Sequence, residues 1–222
     1  MINPPPAMQF RTKEEQVADY LREAIISGRI ARGARLKQQE IADQLRTSIT
    51  PVREALKLLE AEGYIAGDSY RGATVAPFDI SASQEVLNLR IILETQLVCG
   101  AVDHATAADI AELRGLAAEF ARAYDAGDNG AARAANYRFH HRMFAIAQMP
   151  QTLHFVQILW ARYPFDLING LQGRVSRAAA EHDDMVAALI ASDSGAAMLA
   201  TRRHIEAGWQ ELRDSVEAQK GQ

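Results

Sequence analysis

Residues 38–63 read QQEIADQLRTSITPVREALKLLEAEG, and this stretch decides the fold. Ile41 and Leu45 recur at i, i+4 and point one way from a brief helix over 38–45. A turn follows at Arg46-Thr47. The next helix starts around Ser48–Thr50, with Pro51 in its first turn, where a missing N–H is harmless. Val52, Leu56 and Leu59 line its inward face, and Gly63 stops it. Two short helices joined by a tight turn form the geometry in which the second helix enters the major groove of DNA.

Upstream, Thr12 with Glu15 forms a capping-box pattern that opens a helix. Val17, Leu21, Ala24 and Ile25 give that helix one apolar face, and Gly28 ends it. Ile30 to Lys37 reads as a connector turning at Gly33. Downstream, Tyr64-Ile65-Ala66 and Ala73-Thr74-Val75 flank a turn at Gly67-Asp68-Ser69, the pattern of a small hairpin. Three short helices and a hairpin define a winged helix-turn-helix over 12–78, behind a loose Pro-rich arm at 1–11. After a linker at 79–82, residues 83–218 are helical throughout. Breaks at Ala105-Thr106, Gly127-Asp128, Met149-Pro150, Gly170–Gly173 and Ser192–Gly195 predict an antiparallel all-α bundle of six or seven helices. The fold class is therefore mainly α.

Charge agrees with this division. The 222 residues carry a net charge of −4, which excludes a general polyanion coat. Residues 1–78 hold 11 Lys/Arg against 10 Asp/Glu, while the remainder is acidic. Within 28–57, Arg29, Arg32, Arg35, Lys37, Arg46, Arg53 and Lys57 face only Glu40, Asp43 and Glu54. A local basic patch on an acidic chain suits site-specific DNA contact. Ser48, Thr50 and Arg53 lie where a helix N-terminus meets phosphates and base edges. Arg53 is equally placed to pair with Glu54 or Glu40. At the hairpin tip, Arg71 is positioned for a minor groove, with Gly72 allowing the backbone turn.

The single cysteine, Cys99, excludes an intrachain disulfide framework and reads as a buried core thiol. Neither a signal-peptide pattern nor an apolar run of membrane-spanning length is present, so the expectation is a cytoplasmic chain with no membrane partner.

Six histidines stand in the helical part. Asn136 and His140 share one helix face at i, i+4. His182 reads as opening the next-to-last helix, and His204 lies on the last. Two antiparallel helices turning at Ser192–Gly195 bring those two within reach of each other. Three imidazoles with an oxygen donor suit a divalent transition ion. By spacing alone, a histidine on a helix is more often an ordinary core or surface residue. His141 points about 100° away from His140, and His104 and His154 read as structural or exposed. Trp160 and Trp209 read as core or interface aromatics.

The strings LREAIISGRIARGARLKQQEIADQL, TPVREALKLLEAEGYI and RGATV resemble the GntR family of bacterial transcriptional regulators over nearly all of residues 12–78. The resemblance implies operator contacts from Ser48, Thr50, Arg53 and the wing at Gly72. Two positions depart from the family pattern. Ile49 stands where arginine is usual, and Arg46-Thr47 where Gly-Val is usual. An aliphatic residue cannot donate to guanine but packs on a thymine methyl, so the operator is expected to differ, with base contacts leaning on Arg46 or Lys37. Arg35 joins the same expected surface. Residues 83–216 resemble the FCD effector domain of this family. That resemblance implies a metal, often zinc, nickel or manganese, on Asn136, His140, His182 and His204, with a small organic acid bound beside it. Asn136 replaces a frequent aspartate, which weakens the ion's hold and leaves more positive charge for an anionic effector. Arg90 and Arg162 are the candidate carboxylate partners. The implied activity is a homodimeric, ligand-responsive repressor on a near-palindromic operator, and not an enzyme. Two alternatives stand beside it. One is a metal-dependent hydrolase, with only Glu181, Asp183 and Asp184 beside His182 to serve as base. The other is a regulator with a metal-free pocket.

Overall fold

The computed structural model describes residues 12–67, 72–77, 83–163, 165 and 174–220. The expected arm at 1–11, the linker at 79–82 and Arg71 lie outside the described residues.

Helix α1 (Lys13–Ile26) begins with both halves of the capping box: Thr12 accepts from the Glu15 N–H, and Glu15 returns to the Thr12 N–H. The helix ends at Ile26, capped by Ser27, and Gly28 turns the chain with φ 74°. Strand β1 (Arg35–Leu36), α2 (Gln38–Gln44), α3 (Ile49–Glu62), β2 (Ile65–Ala66) and β3 (Ala73–Val75) complete the unit. Gly63, at φ 85°, caps α3 in the left-handed conformation. The sheet runs β1-β3-β2, all antiparallel, with Arg35 opposite Thr74 and Ile65 opposite Val75. The expected connector at 30–37 thus contributes a third strand, whose two residues are too few to show alternation.

The bundle follows as α4 (Ser83–His104), α5 (Ala107–Asp125), α6 (Asn129–Ile146), α7 (Pro150–Ala161), α8 (Arg174–Ile190) and α9 (Ser194–Lys220). Thr106 and Asp109 form a second capping box at the start of α5. Helix α8 starts eight residues before His182, which therefore lies inside the helix rather than at its opening.

One apolar cluster runs from Leu21, Ile25, Leu56 and Tyr64 of the winged unit into Tyr137, Phe139 and Trp160 of the bundle. The two units therefore share buried surface. Polar links reinforce it: the Tyr64 hydroxyl donates to the Gln157 carbonyl at 2.9 Å, Arg32 Nη2 donates to the Tyr163 carbonyl at 3.0 Å, and Arg138 pairs with Glu23 at 3.0 Å. Among the described residues no helix is long and apolar enough to cross a membrane.

Candidate functional site

Helix α3 is anchored by Val52, Ala55, Leu56 and Leu59, all fully buried. That packing turns its first turn outward. Ser48, Ile49 and Thr50 are exposed, Ile49 to 41%. Ser48 is the N-cap by backbone conformation, but its side chain makes no capping hydrogen bond. No acidic residue lies in the first turn. The positive end of the helix dipole and its N–H groups therefore face solvent without a counter-charge, which suits a phosphate. Arg46, at φ 52°, is exposed in the turn just before. Arg53 is half-buried and lies 3.5 Å from Glu54, the structural pairing left open by the sequence. Lys37 is exposed and bonded to Glu40 at 2.6 Å. Arg35 lies on the outer strand of the sheet with its guanidinium against Gly72, whose φ is 135°. A Cβ at residue 72 would come within 3.1 Å of it, and the positive φ itself favours glycine there.

The second centre lies in the bundle. Helix α6 supplies Asn136 and His140, α8 supplies His182, and α9 supplies His204; all four are buried. One ring nitrogen from each histidine falls within 4.8 Å of the other two. His140 Nε2 and His182 Nε2 are 3.2 Å apart. Two nitrogens bound to one tetrahedral ion at the usual bond length of ~2.0–2.1 Å stand about 3.3 Å apart, so the donor set fits a transition metal. His204 Nδ1 lies 2.7 Å from Glu181 Oε2. A carboxylate at Nδ1 favours the tautomer that leaves Nε2 as the basic nitrogen, the usual outer support of a metal-binding histidine. Glu181 thus orients His204, not its neighbour in the chain, His182. His182 is held instead by aromatic packing, stacked on Phe139 at 4.3 Å and tilted against Phe120 at 4.9 Å.

A small cavity opens beside the histidines. Its polar wall is Arg90, Asn136, His140 and His204, and its apolar wall is Ile26, Tyr137, Trp160 and Phe165. It holds about 10 Å³ of water-accessible space, near the least that admits one water molecule. Arg90 is buried and bonded to Glu94 through Nε at 2.6 Å and Nη2 at 3.2 Å. Its guanidinium lies 4.0 Å over the Tyr163 ring. Burial works against the charged form, but Glu94 and Tyr163 outweigh it and keep the guanidinium above its ordinary range. An anion reaching Arg90 shares it with Glu94, which also accepts from Trp160 Nε1 at 2.8 Å.

Arg162 stands elsewhere. It is exposed at the end of α7, beside Gly63 at the end of α3, and does not line the cavity. His141 faces α7 through Gln157 at 3.1 Å, His104 bonds the Gly100 carbonyl, and His154 is exposed. Cys99 is only half-buried, a correction to the expected core position. Desolvation, then the nearby Asp103, raise its thiol's pKa, which disfavours the reactive thiolate. Trp160 and Trp209 are buried, as expected.

A winged helix-turn-helix joined to a helical bundle with a buried polar centre defines a class: regulators that carry a DNA-binding head and a small-molecule effector domain on one chain. Residues 13–75 match the bacterial regulatory proteins of the gntR family, and residues 85–207 match the FCD domain. The HTH-type transcriptional regulator McbR of Escherichia coli is 30% identical over 160 residues, 69% of this chain and 72% of that protein. The solved structure of E. coli McbR/YncC superposes with a TM-score of 0.79 at 26% identity, over 93% of this chain and all (100%) of that one. A GntR regulator from Rhodococcus sp. RHA1 shares the fold, with a TM-score of 0.67 at 24% identity over 91% of this chain and 98% of its own. The chain belongs to the GntR family of transcriptional regulators, in the group that carries an FCD effector domain.

Proposed function

We propose that the chain is a homodimeric, ligand-responsive repressor whose helix α3 reads one half of a near-palindromic operator. Two-fold symmetry in the protein implies two-fold symmetry in its site. Ser48, Ile49, Thr50, Arg53 and Arg46 form the reading surface, with Lys37, Arg35 and Gly72 flanking it; Arg71 is a further contact by its place in the sequence. The winged unit ends near residue 78, and the helical effector and dimerisation unit begins at 83. The observation that carries the reading is the outward first turn of α3, held by a fully buried opposite face.

Asn136, His140, His182 and His204 hold a divalent transition ion (zinc, nickel or manganese), and a small organic acid binds beside it, with Arg90 as its ionic partner. The ion supplies a positive centre for the acid's carboxylate. The three imidazoles and the Asn136 amide add no negative charge to offset it. Arg162 has no part in this pocket. A hydrolase in the bundle is the weaker reading: Glu181 is engaged by His204, and Asp183 and Asp184 are exposed.

Footprinting of the purified chain on the DNA upstream of its own gene and its neighbours tests the proposal. Two equivalent protected half-sites, one helical turn or a multiple apart, are expected, with a dimer mass in solution. One asymmetric footprint from a monomer would contradict it.

A further inference from the structure

Seven of the eight residues that line the histidine cavity belong to the bundle; the eighth, Ile26, is the last residue of α1 in the winged unit. It is buried, and the chain beyond it is tied to α6, the helix that also carries Asn136 and His140. Arg133 Nε donates to the Ser27 carbonyl, and the Arg133 guanidinium lies against Gly28. Three consecutive residues at the end of α1 thus touch either the cavity or the helix that builds it.

The cavity is polar at one end and apolar at the other. Tyr137, Trp160 and Phe165 present aromatic surface, with Trp160 edge-on to Tyr137 at 5.6 Å and to Phe165 at 5.9 Å. Such walls favour a flat apolar body, which packs edge-to-face or offset against them. A polar end of imidazoles and Arg90 favours a carboxylate. The space is too small for any organic acid unless a wall gives way. The bundle walls are held by the buried Arg90–Glu94–Trp160 network and by His182 stacked on Phe139. The Ile26 wall belongs to the other unit and is held to the bundle across the shared apolar cluster and by partly exposed polar links, including Arg138–Glu23.

We infer that the effector is a carboxylate bearing a flat, aromatic-sized body, and that this body bears directly on Ile26. The ligand then touches the DNA-binding unit itself. Its entry displaces the end of α1, so its preference for one head position is a contact made in that position only, as coupling requires. Ile26 is the residue that sets both ligand size and response. This rests on the reading of the histidine cavity as the effector site.

The test uses the full chain, with and without zinc, titrated with benzoate and with acetate, and reads ligand affinity and operator affinity in parallel. Benzoate is expected to bind at least tenfold more tightly than acetate and to change operator affinity about fivefold or more. In Ile26→Ala the wall is cut back: benzoate still binds, but its effect on operator affinity falls below twofold. Ile26→Phe fills the cavity from the head side; it weakens benzoate binding and shifts operator affinity without ligand in the direction benzoate shifts the parent. Equal affinity for benzoate and acetate, or variants that fold and respond as the parent does, would overturn the inference. Failure to bind zinc strikes the metal reading alone, because the zinc-free titrations still decide the role of Ile26.

Discussion

His140 Nε2 and His182 Nε2 stand 3.2 Å apart in the buried centre of the bundle, contributed by residues 42 positions apart on separate helices. That spacing fits two nitrogen ligands of one tetrahedral ion. Purified protein is expected to bind about one equivalent of zinc or nickel, and His140→Ala or His182→Ala to lose most of it. Glu181→Gln removes the support of His204 and lowers metal affinity by about 10–100-fold, the usual cost of an outer-shell loss. Elemental analysis and competitive titration read this. Equal metal content in parent and variants would leave only the metal-free pocket.

Arg22 joins α1 to α3 through a two-pronged pair with Glu62, at 2.6 and 2.8 Å, with both side chains less than a tenth exposed. Removing one partner strands a buried charge. Arg22→Ala is expected to cost about 3–5 kcal/mol, while Arg22→Met with Glu62→Leu recovers most of the loss. Denaturant unfolding of the three proteins measures it. A double variant no better than the single would contradict the account.

Asp109 accepts from the Thr106 hydroxyl and N–H and pairs with Arg142, and these contacts hold its carboxyl below the usual range. Because the folded pKa is depressed, the stability it contributes is fully present above the unfolded value of about 3.9. It is lost as pH falls through the folded value. Thr106→Ala is expected to cost about 1 kcal/mol at neutral pH, and Asp109→Asn to flatten the acid limb of the stability curve below about pH 4. An unchanged acid limb would refute the assignment.

Gly28 holds φ 74° where a side chain would meet the Arg133 guanidinium at 3.2 Å. Gly28→Ala is expected to cost about 1–2 kcal/mol from the left-handed backbone alone, and to loosen the clasp between α1 and α6. The thermal midpoint reports the first effect. Faster amide exchange at the end of α1, relative to the rest of the helix, reports the second. Exchange rates matching the parent would show that the clasp does not depend on this glycine.

Local chemistry made much of the fold legible in the sequence. The Thr12–Glu15 box, Pro51 in the first turn of α3 and Gly63 after it are each decided by groups a few residues apart, and the helix breaks by Gly, Pro and polar clusters. Strand β1 was illegible because it exists only through pairing with Thr74 and Ala73, nearly forty residues away. The histidine cluster followed from helix spacing and family resemblance together. Its supports did not: Glu181 adjoins His182 in the chain yet faces His204 across the helix pair. Arg162 reads in the sequence as a carboxylate partner, but the end of α7 turns it towards Gly63 at the end of α3. Ile26 adjoins the apolar face formed by Val17, Leu21, Ala24 and Ile25, and no sequence signal reveals that another unit's cavity lies beside it.

The most direct test is the affinity of labelled operator DNA for the parent chain and for Arg53→Ala, Thr50→Ala and Arg142→Ala, measured across a salt series. The account predicts tight, salt-dependent binding by the parent, a loss of about 1–3 kcal/mol for each of the two α3 substitutions, and no change for Arg142→Ala, which lies on α6. Undetectable binding by the folded parent at low salt, or α3 variants that bind as the parent does, would contradict it.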